Sequence, residues 1–338
     1  MEKVNVAIAG ATGAVGESLR LILEQRQFPI DNLSLLASPR SVGRKFEVNG
    51  RSITVENLAE FDFSDTQIGL FSAGGSISAI HAPRAAEAGT YVIDNTSHFR
   101  YEPHIPLVVP EVNPHQVRTG LSSKIIANPN CSTIQMVVAL NQIQKEVGIE
   151  RINVATYQAV SGAGASAMRE LEQQTKDYFD GKEIKTEVAP VQIAFNAIPQ
   201  INSFDENGYT TEEMKMVWET KKIFEDDSIM VNPTCVRIPV FVGHSEAVHI
   251  ETKTELTTER ARELIAQQDG VELIDEHQPG GYPTAALHGA HSDQVFVGRV
   301  RKDISHPRGL NMWVVSDNVR KGAALNSIQI AEHLLTMI

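Results

Sequence analysis

The first part of the chain alternates short apolar runs with amphipathic stretches. Val4–Ala9 is an apolar run that ends in glycine, the signature of a central parallel strand. Ala14–Gln25 follows with Val15, Leu19, Ile22 and Leu23 on one side, which predicts a helix. Leu33–Ala37 predicts a second strand, and Lys45–Val55 a hairpin turning at Asn49-Gly50. Gln67–Ser72 reads as a strand, Ser78–Ala88 as a helix and Tyr91–Asp94 as a strand. Leu107–Pro110 and Lys124–Ala127 continue the pattern as strands. Strict alternation of strand and helix predicts a doubly wound, Rossmann-like α/β domain over residues 1–127.

Beyond this point the pattern changes. Ile152–Val160, Val236–Val242, Ala247–Thr254, Val295–Val300 and Asn311–Val315 read as longer strands, with helices at Ala165–Phe179 and Thr258–Gln267. Long strands without strict alternation predict an α+β domain with a mostly antiparallel sheet over residues 128–317. Arg320–Leu335 is amphipathic, and fold analogy predicts that a C-terminal helix within 318–338 packs back on the first domain.

Composition narrows the class. With 338 residues, 42% hydrophobic and 21% charged, the chain has the balance of a soluble two-domain protein. A net charge of -12 without a basic cluster argues against nucleic acid as a partner. Two cysteines form no disulfide framework, and the N-terminus runs straight into a strand without a signal pattern. No apolar run is long enough to span a membrane. The expectation is a cytoplasmic protein acting on small molecules, with no metal.

Two segments carry candidate chemistry. Gly10, Gly13 and Gly16 form a glycine loop between the first strand and the first helix. This is the dinucleotide fingerprint, with pyrophosphate against the helix N-terminus. Gly10, Thr12, Gly13, Ala14 and Val15 are the candidate contacts. No acid ends the second strand to hold a ribose hydroxyl. Instead Ser38, Arg40 and Ser41 stand there, suited to a 2′-phosphate, which predicts NADP rather than NAD. The second segment is Asn128-Pro129-Asn130-Cys131-Ser132-Thr133, between an apolar run and an amphipathic stretch. It sets the Cys131 thiol at a helix start, where the dipole favours a thiolate nucleophile. A small buried cap residue is the alternative. A cysteine beside a nicotinamide suggests aldehyde oxidation through a thioester, with a histidine to move the proton. Among 11 histidines, His244 is the candidate because it follows the run Val236–Val242. Cys235, at a strand start, reads as structural.

Several runs in order resemble the bacterial aspartate-β-semialdehyde dehydrogenase family. They are the Gly10–Gly16 loop, Asn128–Thr133, Tyr157–Gly164, Glu212–Lys215, Val236–Val240 and Gly243–Glu246. The resemblance implies Cys131 as nucleophile, His244 as general acid/base and Gln158 as the residue that orients the intermediate. It implies that Arg237 clamps the substrate carboxylate, that Glu212 meets the substrate amino group, and that Arg100, Asn130 and Lys215 bind phosphate. Ser161, Gly162 and Asn318 would touch the cofactor. The implied reaction is NADPH-dependent reductive dephosphorylation of L-aspartyl-4-phosphate to L-aspartate 4-semialdehyde. That step leads to lysine, methionine, threonine and isoleucine, and the resemblance implies a homodimer, with residues 128–317 as the catalytic and dimerisation domain. N-acetyl-γ-glutamyl-phosphate reductase and glyceraldehyde-3-phosphate dehydrogenase share the plan, but their cysteine runs match less well. A regulator that senses the cofactor without turnover is a rival from another class.

Overall fold

A computed structural model describes residues 2–337. The chain forms two compact units. One comprises the residues up to Pro129 joined by those from Ala323 onward; the other is Asn130–Gly322.

In the first unit, β1 (Val4–Ala9) leads through the glycine loop into α1 (Ala14–Gln25) and β2 (Ile30–Ala37). The hairpin β3 (Lys45–Val48) and β4 (Arg51–Asn57) follows, then β5 (Ile68–Phe71), α2 (Gly75–Glu87), β6 (Tyr91–Asp94) and β7 (Ile125–Ala127). The seven strands are ordered β3-β4-β2-β1-β5-β6-β7, all parallel except the β3–β4 pair. Chain direction across the sheet reverses on the two sides of β1, so the crevice beyond its C-terminal end is the switch point where such sheets bind ligands. The glycine loop lies there because β1 delivers it. Gly10 has φ +89°, and a Cβ on it would lie 2.8 Å from the Ser72 backbone carbon. A Cβ on Gly16 would run into the Gly10 carbonyl oxygen. Buried Leu19, Ile22 and Leu23 seat α1 on the sheet. The last helix, counted below as α7 (Leu325–Leu335), buries Leu325, Ile328, Ala331 and Leu334 in the same core.

The second unit opens with α3 (Cys131–Val147) and β8 (Ile149–Gln158), then α4 (Ala165–Phe179), α5 (Thr211–Phe224), β9 (Met230–Arg237) and β10 (His244–Thr252). It closes with α6 (Thr258–Ala266), β11 (Val271–Leu273), β12 (Val295–Lys302) and β13 (Gly309–Ser316). The sheet order is β11-β12-β13-β10-β8-β9, with three antiparallel pairs in the middle and a parallel pair at each edge. Ser132 through Asn141 of α3 are all buried.

Three sequence expectations need correction. Leu107–Pro110 is not a strand: only Leu107 bridges to Ala127, and Pro106 and Pro110 on either side cannot donate to a ladder. The strand expected at Val236–Val242 lies earlier and ends at Arg237, with Pro239 just beyond it. Pro233 sits inside β9, tolerated because β9 is an edge strand. The segment Arg320–Leu335 is two elements, a wide π turn at Arg320–Ala324 and then α7.

Gly10→Ala should combine left-handed strain with a backbone clash. The expected result is a loss of roughly 1–3 kcal/mol in unfolding free energy, read by denaturant titration, and weaker cofactor binding by fluorescence titration.

Candidate active site

Three adjacent strands of the second unit end at one edge of the sheet. Gln158 ends β8, and Arg237, its parallel partner, ends β9. His244 begins β10, the antiparallel neighbour of β8 on the other side. His244 therefore emerges from a strand start, not from the end of the run before it. Pro239 and the left-handed Gly243 (φ +93°) separate the two strands.

Cys131 is the first residue of α3. The residue before it is held from three sides. Asn130 Oδ1 accepts from the Ser132 and Thr133 backbone N–H groups at 3.1 and 3.2 Å. This is an N-cap, and it satisfies two donors the helix cannot. Asn130 Nδ2 donates to Glu212 Oε1 at 2.8 Å, and its backbone N–H donates to Glu219 Oε2 at 2.6 Å. Gly322 packs directly on the thiol-bearing residue: a Cβ there would lie 2.7 Å from Cys131 Cβ.

The Arg237 guanidinium donates to the Ala159 carbonyl at 2.6 Å. Burial pulls its pKa down, opposed by the charges of Glu212 and Cys131. The same Coulomb attraction, seen from the sulfur, favours a Cys131 thiolate. Gly162 leaves room over both strand ends, since a Cβ on it would lie 3.3 Å from Arg237 Nη1 and 3.5 Å from His244 Nε2.

His244 is fully buried, and the Ala159 backbone N–H donates to its Nδ1 at 3.0 Å. A neutral imidazole that accepts at Nδ1 carries its proton on Nε2. Burial, reinforced by the Arg237 charge and opposed by Glu212, lowers its pKa from 6.5 to about 3. The Gln158 side-chain nitrogen stands 3.3 Å from Nε2, while Thr156 Oγ1 donates to Gln158 Oε1. Two N–H donors thus converge without an acceptor between them, a geometry suited to an oxyanion.

Glu212 is also buried. Burial pushes its carboxyl up, but Lys215 and the Asn130 and Gln158 amides outweigh this and hold it at about 2. Lys215 Nζ donates to its Oε2 at 3.0 Å. Ser161 and Asn318 are hydrogen-bonded to each other, and Asn318 Oδ1 also accepts from the Gly243 N–H. Cys235 is the other cysteine; burial drives its thiol far up, and the nearby acids add to the effect.

In the first unit, α1 starts at Gly13, which makes no side-chain cap hydrogen bond to the first N–H groups of that helix. That arrangement fits a pyrophosphate. Ser38 and Arg40 are exposed and Ser41 half-buried in the turn after β2. Arg20 lies 3.8 Å over the Phe46 ring, with Arg44 at 5.2 Å over the same ring. Arg100 is buried and donates to the Asn95 carbonyl at 2.8 Å.

Sequence reasoning passed over Ala159, Asn202, Glu219 and Gly322. Only the pattern Thr210-x-x-Glu213, a capping box that starts α5, gave a signal that could have marked Glu212 and Glu219 as residues of one fixed helix.

Two family models match the chain. Residues 5–120 match the NAD-binding domain of semialdehyde dehydrogenases, and residues 140–321 match their dimerisation domain. Together these define a nicotinamide-dependent dehydrogenase of two domains. Aspartate-semialdehyde dehydrogenase 2 of Vibrio cholerae is 58% identical over 99% of this chain and 98% of its own. The Bacillus subtilis aspartate-semialdehyde dehydrogenase is 50% identical over 98% of this chain and 97% of its own. The crystal structure of the Vibrio cholerae enzyme II complexed with ASA superimposes with a TM-score of 0.97, at 57% identity and 99% coverage of both chains. The chain belongs to the aspartate-semialdehyde dehydrogenase family of enzymes.

Two outcomes test this geometry. Gly322→Ala should displace Cys131 and lower kcat/KM by roughly 10²-fold, with a parallel fall in the alkylation rate of Cys131. The second concerns acid. Below pH 6.5 the unfolded chain protonates His244, whereas the folded chain resists down to about 3. Stability from this group is complete above pH 6.5 and falls as pH drops. Between pH 7 and 5 the wild type should lose about 2 kcal/mol relative to His244→Asn, measured by denaturant unfolding at both values.

Proposed function

We propose that the chain catalyses the NADP-dependent, phosphate-dependent interconversion of L-aspartyl-4-phosphate and L-aspartate 4-semialdehyde through a Cys131 thioester. This reading places it on the route to lysine, methionine, threonine and isoleucine. The observation that carries it is the position of Cys131 at the positive end of α3, in electrostatic reach of Arg237.

In the reductive direction the Cys131 thiolate attacks the acyl carbon of the acyl phosphate. Its sulfur–carbon bond forms, and the carbon–oxygen bond to phosphate breaks. The tetrahedral oxyanion is received between Gln158 Nε2 and His244 Nε2–H. Asn130, with Oδ1 on the helix N-terminus and Nδ2 on Glu212, steadies the nucleophile from behind. Arg237 clamps the substrate carboxylate with two parallel hydrogen bonds, a task for guanidinium. Lys215, beside Glu212 on α5, would receive the departing phosphate in this unit, and the family resemblance gives Arg100 the same task. Bound NADPH supplies the hydride that converts the thioester to the aldehyde oxidation level. Hydride addition leaves a hemithioacetal oxyanion, which the His244 Nε2–H holds by a hydrogen bond until it collapses to the aldehyde and expels the Cys131 thiolate.

The preference for NADP rests on Arg40, Ser38 and Ser41 after β2, where no carboxylate stands. A solved aspartate-semialdehyde dehydrogenase from Candida albicans, 25% identical with a TM-score of 0.78, is described as a complex with NADP. Gly10, Thr12, Gly13, Ala14 and Val15 would hold the pyrophosphate, and Ser161, Gly162 and Asn318 the nicotinamide end. The matched dimerisation domain supports a homodimer. Among the described residues no helix is long and apolar enough to cross a membrane.

The test is NADPH formation from aspartate semialdehyde, with and without phosphate, and mass spectrometry of protein quenched during turnover. Expected are strict phosphate dependence, a 4-aspartyl adduct on Cys131, no turnover by Cys131→Ser, and a KM for NADP raised at least tenfold in Arg40→Ala. Turnover by the serine variant at the wild-type rate would falsify the covalent route.

A further inference from the structure

Helix α5 carries acids where its spacing calls for apolar side chains. Glu212, Met216, Glu219 and Ile223 recur at i, i+4, i+7 and i+11, the stripe by which a helix faces a core. All four are buried, and Glu219 exposes none of its surface. Methionine and isoleucine fill such positions without polar atoms. A glutamate there must find donors for its carboxyl group, because an unpaired polar group in the interior costs free energy that an apolar side chain avoids. Packing alone therefore does not account for Glu219, which lies two turns beyond Glu212.

The donor it finds is the peptide next to the nucleophile. The Asn130 backbone N–H donates to Glu219 Oε2 at 2.6 Å, across 89 positions of sequence. The Asn130 carbonyl accepts from the Ile134 N–H at 2.9 Å, and its side-chain oxygen caps α3. Those bonds belong to α3 itself and form at any well-capped helix start. The bond to Glu219 differs in kind. It comes from another element and grips the peptide on the N-terminal side of Asn130, so it fixes the angle at which the chain enters the helix. Cys131 is the next residue, the first of α3. Its side chain stands where that angle puts it.

We propose that Glu219 is a positioning residue for the nucleophile: its carboxyl oxygen, fixed by the buried face of α5, holds the Asn130 peptide and thereby sets the direction of the Cys131 side chain. The assignment rests on the reaction proposed above only for its effect on turnover. Reach is the property that matters. Gln places an oxygen at the same distance from α5, whereas Asp keeps the carboxyl group and falls one methylene short. A displacement of about 1 Å in the seat of a reacting group can cost roughly 10²-fold in rate. Arg237 and Gln158 stand on strand ends and keep their places in either variant.

The test sets Glu219→Gln beside Glu219→Asp. Steady-state kinetics with aspartate semialdehyde, phosphate and NADP give kcat and KM. Iodoacetamide alkylation of Cys131, followed by mass spectrometry of its peptide, reads the sulfur without any substrate. The expected order is wild type, then Gln, then Asp. Between Gln and Asp kcat should differ by roughly tenfold or more, with KM within about threefold of wild type in both. Alkylation rates should fall in the same order. Denaturant unfolding checks that the proteins compared are folded. Glu219→Met, which matches the length without the oxygen, takes the place of Asp if that variant does not fold, with the same order expected. An oxygen-withdrawn variant as fast as Gln, in turnover or in alkylation, means that reach is immaterial, and the proposal fails. Stability lost in both variants while kcat and alkylation stay at the wild-type level makes Glu219 a packing residue and also overturns it. If the wild type shows no phosphate-dependent turnover, the reaction is at fault, and the alkylation order still decides the role of Glu219.

Discussion

The hold on Asn130 is the constraint on which the catalytic unit depends. One side chain closes the N-terminus of α3, reaches the buried Glu212 carboxylate, and leaves its backbone N–H to Glu219. Because α3 is buried from Ser132 through Asn141, fixing its first turn fixes the sulfur. The opposite wall is the row of strand ends that carries Gln158, Arg237 and His244. Both α5 and the sheet therefore converge on a helix start, and the geometry of the thiol follows from elements that are rigid on their own account.

Burial has opposite chemical consequences for groups a few ångströms apart. It keeps His244 neutral, because the Glu212 charge only partly offsets burial and Arg237 repels an imidazolium. It also pushes the carboxyl of Glu246, two residues along the same face of β10, well above its ordinary range, with Gln135 opposing only in part. Glu212 escapes the same fate because Lys215 and the surrounding amides supply what water would have supplied. Ionised groups thus survive here only where donors were built around them. For the same reason the thiol of Cys235, buried among acids, is pushed far up, while Cys131 heads a helix within the field of Arg237.

Much of this was readable from residues alone, and the reasons are local. The Asn130-Cys131 junction showed itself because an apolar strand run and a helical spacing meet there. The parallel core of the first unit showed itself because strands buried on both faces are continuously apolar. The start of β10 did not, since the alternation of Val236, Ile238 and Val240 continues past a break made by Pro239 and Gly243. Glu212 and Lys215 have the spacing of a surface ion pair, and nothing in that spacing says that the helix face is buried. Glu219 and Gly322 act through contacts made in three dimensions, with partners 89 and 191 positions away along the chain.

The discontinuity of the first unit bears on how the protein is made. Its hydrophobic core includes Leu325, Ile328, Ala331 and Leu334, which leave the ribosome after the whole of Asn130–Gly322. The residues up to Pro129 emerge early and must wait through synthesis of all of Asn130–Gly322 before the helix that covers them arrives. During that interval the nascent sheet keeps an uncovered apolar face, the kind of surface that draws chaperones or aggregates. The inserted unit, contiguous in sequence, is free of this delay and can finish folding while its host is still incomplete.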